Sequence, residues 1–381
     1  SLPISGNITI LKNITFSPSV QMNAWNYFNT TQYRYDDNSS SLIKDTLQQF
    51  RTAFDASFNG ELTTKIYGNY IFKHGKIRHV RHFVIPTLRF SYRPDFTNET
   101  YGFYQEVQKD SLGNKLKYSI FQDGIYGGPG SAGSSLISYN INNNLEAKIR
   151  IKTDSGFIDR KVTLIQNFSI SGTHDLMAKE YKTSLVNLTG RTRIWKNIDL
   201  LFGGTLDPYS LNPITNQRQP VYQWATSGQL ARFTSGSIAI NTSFNNQLFE
   251  SLKKKTFTSN QEKVSSSLST TQTLPWNISF NYNLNYRKPE NASSITQTLN
   301  FSGDFSVTSK WKLGFTSGYD FVKQNLSYTA VNVYRDLHCW EARFDWVPFG
   351  FRKRYAITLN LKTSMLRDVK IPRTREWYDN L

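Results

Sequence analysis

The sequence has almost no cysteine and no long apolar run. Its single cysteine, Cys339, excludes an internal disulfide and leaves either a packed thiol or a bridge to a residue outside this chain. No stretch approaches ~18 consecutive apolar residues, which excludes a membrane-spanning helix pattern. The chain starts at Ser1 without the apolar core of a signal peptide, so we expect a removed leader or a fragment of a longer protein.

Histidine is also scarce, and no catalytic motif is present. Three of the five histidines fall in KHGKIRHVRHF (73–83), where the neighbouring cations would repel a metal ion. On a strand, His79 and His82 would point to opposite faces. There is no cysteine cluster, HExxH or nucleophile elbow. We predict no metal, no cofactor, no catalytic residue and no enzyme activity, although a barrel hydrolase assembled from distant strands stays open.

Basic residues outnumber acidic residues. The composition also combines a low mean hydropathy with many aromatic residues. Lys and Arg total 45 against 28 Asp and Glu, a net charge of +17 that suits nucleic acid or lipid phosphates. Nucleic acid is disfavoured because no nucleic-acid-binding motif is present. Mean hydropathy is −0.49, yet 14% of residues are aromatic. A membrane barrel shows this combination, and a large soluble all-β protein shows it equally well.

Strict alternation is the main pattern in the chain. In NISFNYNLNYR (277–287) every second residue is apolar and the residues between are Asn, Ser or Arg. A period of two predicts a strand with one dry and one wet face. The pattern recurs in segments of about 8–12 residues, which predicts an all-β, transmembrane antiparallel β-barrel with about 17–19 strands in this chain. SLIKDTLQQF (41–50) is the nearest candidate for a helix, within a loop.

The connections between segments are of two kinds. NNN (142–144), WKN (195–197) and VTSK (307–310) are predicted tight turns. Longer polar connections are predicted at 29–48, 94–133, 207–222 and 245–263. We expect short turns at one end of the barrel and long loops at the other.

The stretch 338–362, HCWEARFDWVPFGFRKRYAITLNLK, predicts a final hairpin. We place residues 1–363 in the strands of the barrel, which is incomplete at the N-terminal side, and residues 364–381 in a periplasmic tail. The predicted lipid-facing residues of the hairpin are Trp340, Ala342, Phe344, Trp346, Tyr355, Ile357, Leu359 and Leu361. The predicted inward-facing residues are Cys339, Glu341, Arg343, Asp345, Arg354, Ala356, Thr358, Asn360 and Lys362.

This ending resembles the LptD family, the lipopolysaccharide-assembly barrels of the bacterial outer membrane, in a divergent branch. The matching pieces are 335–348, 354–362 and 364–380, with further similar blocks at 77–96, 119–131 and 203–211. The resemblance implies a barrel of about 26 strands, preceded by a periplasmic domain and wrapped around an LptE-like lipoprotein plug. This chain would supply the C-terminal barrel portion.

The resemblance also implies roles for particular residues. Lipopolysaccharide would leave through a lateral gate between first and last strands, so Tyr355, Ile357, Leu359 and Leu361 are predicted to lie on the gate strand, 354–363. Cys339 would pair with a cysteine of the N-terminal domain. Arg343, Arg354 and Lys362 are candidate contacts of the lipid A phosphates. Implied partners are lipopolysaccharide, membrane lipids and periplasmic lipopolysaccharide-bridge proteins.

Two rival interpretations remain open from the sequence. A generic porin or receptor-type outer-membrane barrel would pass solutes through a closed pore of ordinary size. A soluble β-rich adhesin or polysaccharide-binding protein would stay in solution without detergent.

Overall fold

The computed structural model describes residues 1–130, 132–153, 156–247, 274–350, 352–362 and 370–376. Strands make up 70% of the chain and helices 3%, which confirms the all-β class. The helices are short: a 3₁₀ turn at Glu99–Tyr101 and α1 at Gln223–Ser227. Within the described residues, no helix has the length and apolar character needed to cross a membrane.

The strands are numbered in chain order. They are β1 (Leu2–Ser5), β2 (Ile8–Ile10), β3 (Ile14–Asp36), β4 (Ser41–Thr64), β5 (Ile66–Ile71), β6 (Ile77–Arg93), β7 (Tyr104–Gln108), β8 (Lys115–Ser119), β9 (Ser134–Thr153), β10 (Gly156–Asp175), β11 (Val186–Trp195), β12 (Ile198–Asp207), β13 (Tyr209–Leu211), β14 (Arg218–Tyr222), β15 (Arg232–Asn245), β16 (Trp276–Arg287), β17 (Ser294–Ser306), β18 (Trp311–Asp320), β19 (Asn325–Leu326), β20 (Ala330–Leu337), β21 (Trp340–Val347), β22 (Arg354–Leu361) and β23 (Lys370–Glu376).

One antiparallel sheet contains 19 of these strands in the described part of the chain, at the upper limit of the predicted number. Each main strand pairs with the next along the chain, from β3 to β23. At three places two strands occupy one position in the sheet. β1 and β2 both pair with β3, β4 and β5 both pair with β6, and β19 and β20 both pair with β18. The first and last positions do not pair with each other within the described residues.

The alternating segments form strands because alternate side chains separate onto the two faces of a sheet. The stretch 277–287 lies within β16, and its register with both neighbours is uninterrupted. Asn281 is directly opposite Asn241 on β15 and Asn300 on β17. Residues directly opposite one another in a ladder point to the same side, so the wet face continues from strand to strand.

The connections at the two ends of the sheet differ in length. The segments 94–133, 208–231 and 348–350 lie at one end, together with the β3–β4 turn at 37–40; we call this the long-loop end. The turns 196–197, 307–310 and 338–339 lie at the other, the short-turn end. The predicted turns WKN and VTSK are confirmed. The connection after β15 lies at the short-turn end, unlike the other long connections, and 248–273 lie outside the described residues.

Three local predictions are wrong. SLIKDTLQQF (41–50) is not a helix but the first part of β4, and 29–48 is largely strand. NNN (142–144) is not a turn, because it lies inside β9 and pairs with β6 and β10. The placement of 364–381 in a periplasmic tail stays a prediction; within it, Lys370–Glu376 form β23, which pairs with β22. Of the rest of that tail, 364–369 and 377–381 lie outside the described residues.

The strands β3 and β4 are 23 and 24 residues long. At about 3.3 Å per residue, such strands are more than twice as long as a bilayer core of about 30 Å requires. Their hairpin therefore projects beyond the rest of the sheet at the long-loop end. The main cluster of buried apolar side chains lies there, where the segment 94–133 packs on the hairpin; it comprises Tyr27, Ala53, Ala56, Phe96, Phe103, Tyr118, Ile120 and Phe121.

Candidate functional site

The candidate site is the polar face of the sheet, the side that carries Glu61, Arg89, Ser138, Asn187 and Asn281. The ladder registers carry this face across the strands. Glu61 is opposite Arg89, which is opposite Ser138 on β9. The opposite, apolar face carries exposed aromatic and aliphatic side chains, including Leu62, Leu88, Phe90 and Tyr92.

Between β15 and β18 the polar face is built almost entirely from amides and hydroxyls. Asn281 donates a hydrogen bond to Asn241 Oδ1, and Asn283 donates to Asn281 Oδ1. The next rows pair Ser279 with Ser302 and Asn283 with Thr298. Amides and hydroxyls are both donors and acceptors, so this surface matches the hydroxyl groups of a saccharide without carrying net charge.

Between β4 and β12 the polar face is charged. Arg89 Nε donates to Glu61 at 3.0 Å, and Arg93 forms two hydrogen bonds with Asp55 at 2.8 and 3.0 Å. Arg193 binds Asp199 at 2.9 Å. Opposite charges placed across neighbouring strands stabilise the ladder, so these pairs help to fix the register.

A groove of about 560 Å³ crosses β4, β6, β9, β10 and β11 on this face, toward the long-loop end of β9 and β10. Its walls include Arg89, Asn140 and Ser171, and hydroxyl side chains supply most of the remaining polar groups. Asn140 Oδ1 is buried and accepts no hydrogen bond from the described residues. An orphaned buried acceptor beside a hydroxyl-lined groove is suited to a ligand hydroxyl, because a lone buried carbonyl is costly to leave unpaired.

The segment 94–133 covers the polar face at the long-loop end. Tyr27 stacks against Phe121 with ring centroids 4.9 Å apart, and its hydroxyl donates to the Gly127 carbonyl at 2.5 Å. The Thr31 amide donates to the Ile120 carbonyl at 2.7 Å, so the segment also binds the outer edge of β3. These contacts bury Phe96 and Phe121 to about 1% exposure.

A charged contact between the segment 94–133 and the β3–β4 hairpin supports the same packing. Asp123 accepts hydrogen bonds from Lys44 Nζ at 2.7 Å and from the Thr31 hydroxyl. The hydrogen bond from Lys44, followed by that from Thr31, lowers the pKa of the Asp123 carboxyl. Because Asp123 is then ionised at neutral pH, the contact persists under ordinary growth conditions.

A second cluster is built around Asp207 at the long-loop end. The Asp207 side chain is 4% exposed and binds Arg218 at 2.9 Å and Arg232 at 3.1 Å. The Arg218 guanidinium lies over the rings of Tyr181 and Tyr209, at 4.7 and 4.8 Å from their centroids. One carboxylate therefore joins the end of β12 to β14 and β15.

In the C-terminal hairpin, β21 and β22 pair in an uninterrupted register. Trp346 is opposite Tyr355, Phe344 is opposite Ile357, and Trp340 is opposite Leu361. The predicted gate residues Tyr355, Ile357, Leu359 and Leu361 thus lie on β22 among apolar partners of β21. In the described residues β22 also pairs with β23, so the outer edge of the sheet lies one strand further along the chain.

The three predicted phosphate contacts are not brought together. Arg343 pairs with Glu341 at 3.2 Å, Arg354 with Glu376 at 3.8 Å, and Lys362 with Asp336. Arg354 and Lys362 lie at opposite ends of β22, about 26 Å apart at 3.3 Å per residue. Each cation already has a carboxylate partner, so their role toward lipid A stays a prediction.

Cys339 lies in the turn between β20 and β21, at the short-turn end, and is exposed. Its carbonyl accepts a hydrogen bond from the Lys362 amide at 3.0 Å. A thiol there is accessible to a cysteine outside this chain, and that pairing stays a prediction. His79 and His82 lie on opposite faces: His79 lines a cavity with Lys148, whereas His82 contacts Asn143 Oδ1 at 3.2 Å.

Sequence reasoning missed the segment 94–133 as a packed unit and the basic row around Lys148. The aromatic density of 94–133, with Phe96, Phe103 and Phe121, was a usable signal for the first. The second depends on which strands are neighbours and in what register, which alternation within one strand does not specify.

Comparison with known families decides the assignment. A sequence model of the family described as LptD protein matches residues 1–209, more than half of the chain. The chain belongs to the LptD protein family. The match covers the N-terminal half, whereas the most specific resemblance in the sequence lies at 335–380, so the two observations are independent. No curated protein matches the chain.

Membership of the LptD family gives the chain a general role. LptD proteins are outer-membrane proteins of lipopolysaccharide transport, and they are transporters rather than enzymes. The extended two-faced sheet agrees with an outer-membrane location.

Proposed function

We propose that this chain forms the wall of an outer-membrane translocon that inserts lipopolysaccharide into the outer leaflet. The continuous polar face is the observation that carries the proposal. Its amide and hydroxyl surface suits the saccharide part of a glycolipid, and its basic part suits phosphate. The opposite apolar face suits lipid acyl chains.

The acyl chains leave sideways, through a gate at the C-terminal edge of the sheet. The edge strand β23 has only seven residues, and Pro372, opposite Thr358, has no amide to donate. A short strand with a missing donor separates more easily than the longer ladders elsewhere. Its separation from β22 would bring Tyr355, Ile357, Leu359 and Leu361 to the gate.

Two partner proteins and one further domain follow from the same proposal. A periplasmic bridge delivers lipopolysaccharide at the short-turn end, where Cys339 is exposed and forms a disulfide with an N-terminal domain. An LptE-like lipoprotein occupies the space enclosed by the polar face. The long-loop end then faces the outside of the cell, and 94–133 covers it.

Site-specific photo-crosslinking along β16 tests the proposal. A photoreactive residue at Asn281 or Asn283 is expected to capture lipopolysaccharide only while cells are making it, because the polar face holds molecules in transit. At Tyr282, on the apolar face, adducts with outer-leaflet lipid are expected to persist after synthesis stops. Tyr282 is the matched control, since it lies between the two test positions on the same strand.

Two results would contradict the proposal. Adducts at Asn281 and Asn283 that do not depend on lipopolysaccharide synthesis would show that the polar face is not a transport path. Absence of adducts at these positions, combined with ion conductance of the purified protein in a planar bilayer, would instead favour a solute-passing porin.

A further inference from the structure

Three basic side chains lie in register on three neighbouring strands. His79 on β6 is directly opposite Lys148 on β9, and Lys148 is directly opposite Lys161 on β10. Like charges placed directly opposite one another destabilise a ladder. This arrangement departs from the rest of the charged part of the polar face, where cations are opposite carboxylates, as in Arg150 opposite Asp159.

The adjacent residues leave this row positively charged. Glu146 binds Lys161 at 2.9 Å and is opposite Arg81. Lys148 forms no ion pair with any residue that the structure describes. Arg81 instead lies over the Phe83 ring, 4.6 Å from its centroid. One carboxylate thus faces three permanent cations and a histidine.

These side chains surround a small cavity. It has a volume of about 110 Å³ and is lined by His79, Arg81, Glu146, Ala147, Lys148 and Lys161. A cavity needs only about 10–15 Å³ to hold one water molecule, so this one accommodates a group the size of a phosphate. Lysine and arginine bind phosphate through charge-assisted hydrogen bonds, which are roughly twice as strong as neutral ones.

We propose that His79, Arg81, Lys148 and Lys161 form a binding site for a phosphate group of the glycolipid that passes along the polar face. The inference rests on the proposed function, because it identifies which chemical group the wall holds and where. A bound phosphate offsets the repulsion between Lys148 and Lys161. The amide surface on β15–β18 has no comparable concentration of charge, so the wall separates a phosphate region from a saccharide region.

The test compares the double variant Lys148→Gln/Lys161→Gln with the control Lys179→Gln/Lys182→Gln, which removes the same charge from the β10–β11 connection at the long-loop end. Purified full-length protein in detergent is titrated with deep-rough lipopolysaccharide, either intact or with its lipid A phosphates removed enzymatically. Wild type and control are expected to bind the intact glycolipid about tenfold more tightly than the dephosphorylated one, a difference of about 1.4 kcal/mol. The double variant is expected to lose this preference and to bind the dephosphorylated glycolipid as wild type does.

Thermal unfolding supplies a second measurement and checks the fold of the variant. At low salt without phosphate, the double variant is expected to melt at the same temperature as wild type or higher. Removing the like charges of Lys148 and Lys161 offsets the loss of the Lys161–Glu146 ion pair, which contributes little because Lys161 is largely exposed. Inorganic phosphate is expected to raise the melting temperature of wild type more than that of the double variant.

The outcomes separate this inference from the proposed function. A double variant that keeps the tenfold preference would overturn the phosphate site while leaving glycolipid transport intact. A response to inorganic phosphate without any preference between the two glycolipids would also overturn it, and would assign the cavity to free phosphate. Failure of every protein to bind either glycolipid would contradict the proposed function itself.

Discussion

Replacing Phe121 by alanine is expected to release the segment 94–133 from the β3–β4 hairpin. The Phe121 side chain is 1% exposed, and its ring packs at a tilt against Tyr27 and edge-on against Phe103. Removing a buried phenylalanine side chain costs about 3–5 kcal/mol, a large amount for one loop segment. Hydrogen exchange of the 94–133 amides is expected to accelerate strongly, while exchange in β16 and β17 stays slow.

The matched control for this substitution is Phe28→Ala. Phe28 lies on the same hairpin but is 73% exposed, with Phe50 as its ring partner at 5.5 Å. Its replacement is expected to leave the exchange of 94–133 unchanged. Equal protection of 94–133 in the Phe121→Ala and Phe28→Ala variants would show that the aromatic cluster does not hold the segment.

The same substitution has an expected consequence in cells. Because 94–133 packs on the hairpin at the end proposed to face the outside, its release is expected to open a path along the polar face. Cells carrying Phe121→Ala are expected to admit large antibiotics that intact outer membranes exclude, and Phe28→Ala cells are not. If hydrogen exchange shows that the segment is released but the cells still exclude large antibiotics, the segment 94–133 does not cover the path.

Replacing Asp207 by alanine is expected to destabilise the connection 208–231. The carboxylate accepts hydrogen bonds from Arg218 and Arg232. It accepts a further hydrogen bond from the Tyr209 backbone amide at 3.0 Å. Breaking a buried ion pair by removing one partner costs about 3–5 kcal/mol. Arg218 is about one-third exposed, so water replaces part of the contact and we expect about 2–4 kcal/mol.

Limited proteolysis of the purified protein measures this effect. The Asp207→Ala variant is expected to be cut rapidly within 208–231, and Asp207→Asn more slowly, because an amide oxygen still accepts hydrogen bonds. The control is Asp159→Ala, whose ion pair with Arg150 at 3.3 Å is exposed on both sides and is worth at most about 1 kcal/mol. Equal cleavage of the Asp207→Ala and Asp159→Ala variants would contradict the role of Asp207.

Much of the fold could be predicted from the sequence because alternation is a direct consequence of strand geometry. The segment 277–287 and the hairpin 338–362 show a strict period of two, and both form the predicted strands. The faces of the hairpin were predictable for the same reason. No other physical information was needed, because the alternating polarity along one strand indicates the surroundings of each of its two faces.

The wrong predictions arise where alternation carries no information. Residues 41–50 belong to the part of β4 that projects past the sheet, where most positions on both faces are exposed, so the period disappears. Three consecutive asparagines favour a turn by local chemistry, but 142–144 lie inside a strand whose amides bind neighbouring backbone, such as Asn144 Nδ2 donating to the Gln166 carbonyl at 2.7 Å. Strand β23 escaped prediction because its charged residues and Pro372 resemble those of a solvated tail.

The basic row around Lys148 could not be predicted for a different reason. Lys148 and Lys161 meet only because β9 and β10 pair in one register, and His79 joins them through a separate ladder. A shift of one residue would move Lys161 to the other face. Register depends on turn geometry and on packing across the whole sheet, which the polarity of single strands does not determine.

The most direct test of the central claim is the surface level of newly made lipopolysaccharide in cells depleted of this protein. Lipopolysaccharide is pulse-labelled, and the fraction accessible to a membrane-impermeant probe is measured before depletion, after depletion and after re-expression. We expect this fraction to fall as the protein is depleted and to recover on re-expression. During depletion, the labelled molecules are expected to stay on the inner side of the outer membrane. An unchanged surface fraction in fully depleted cells would contradict a role in lipopolysaccharide insertion.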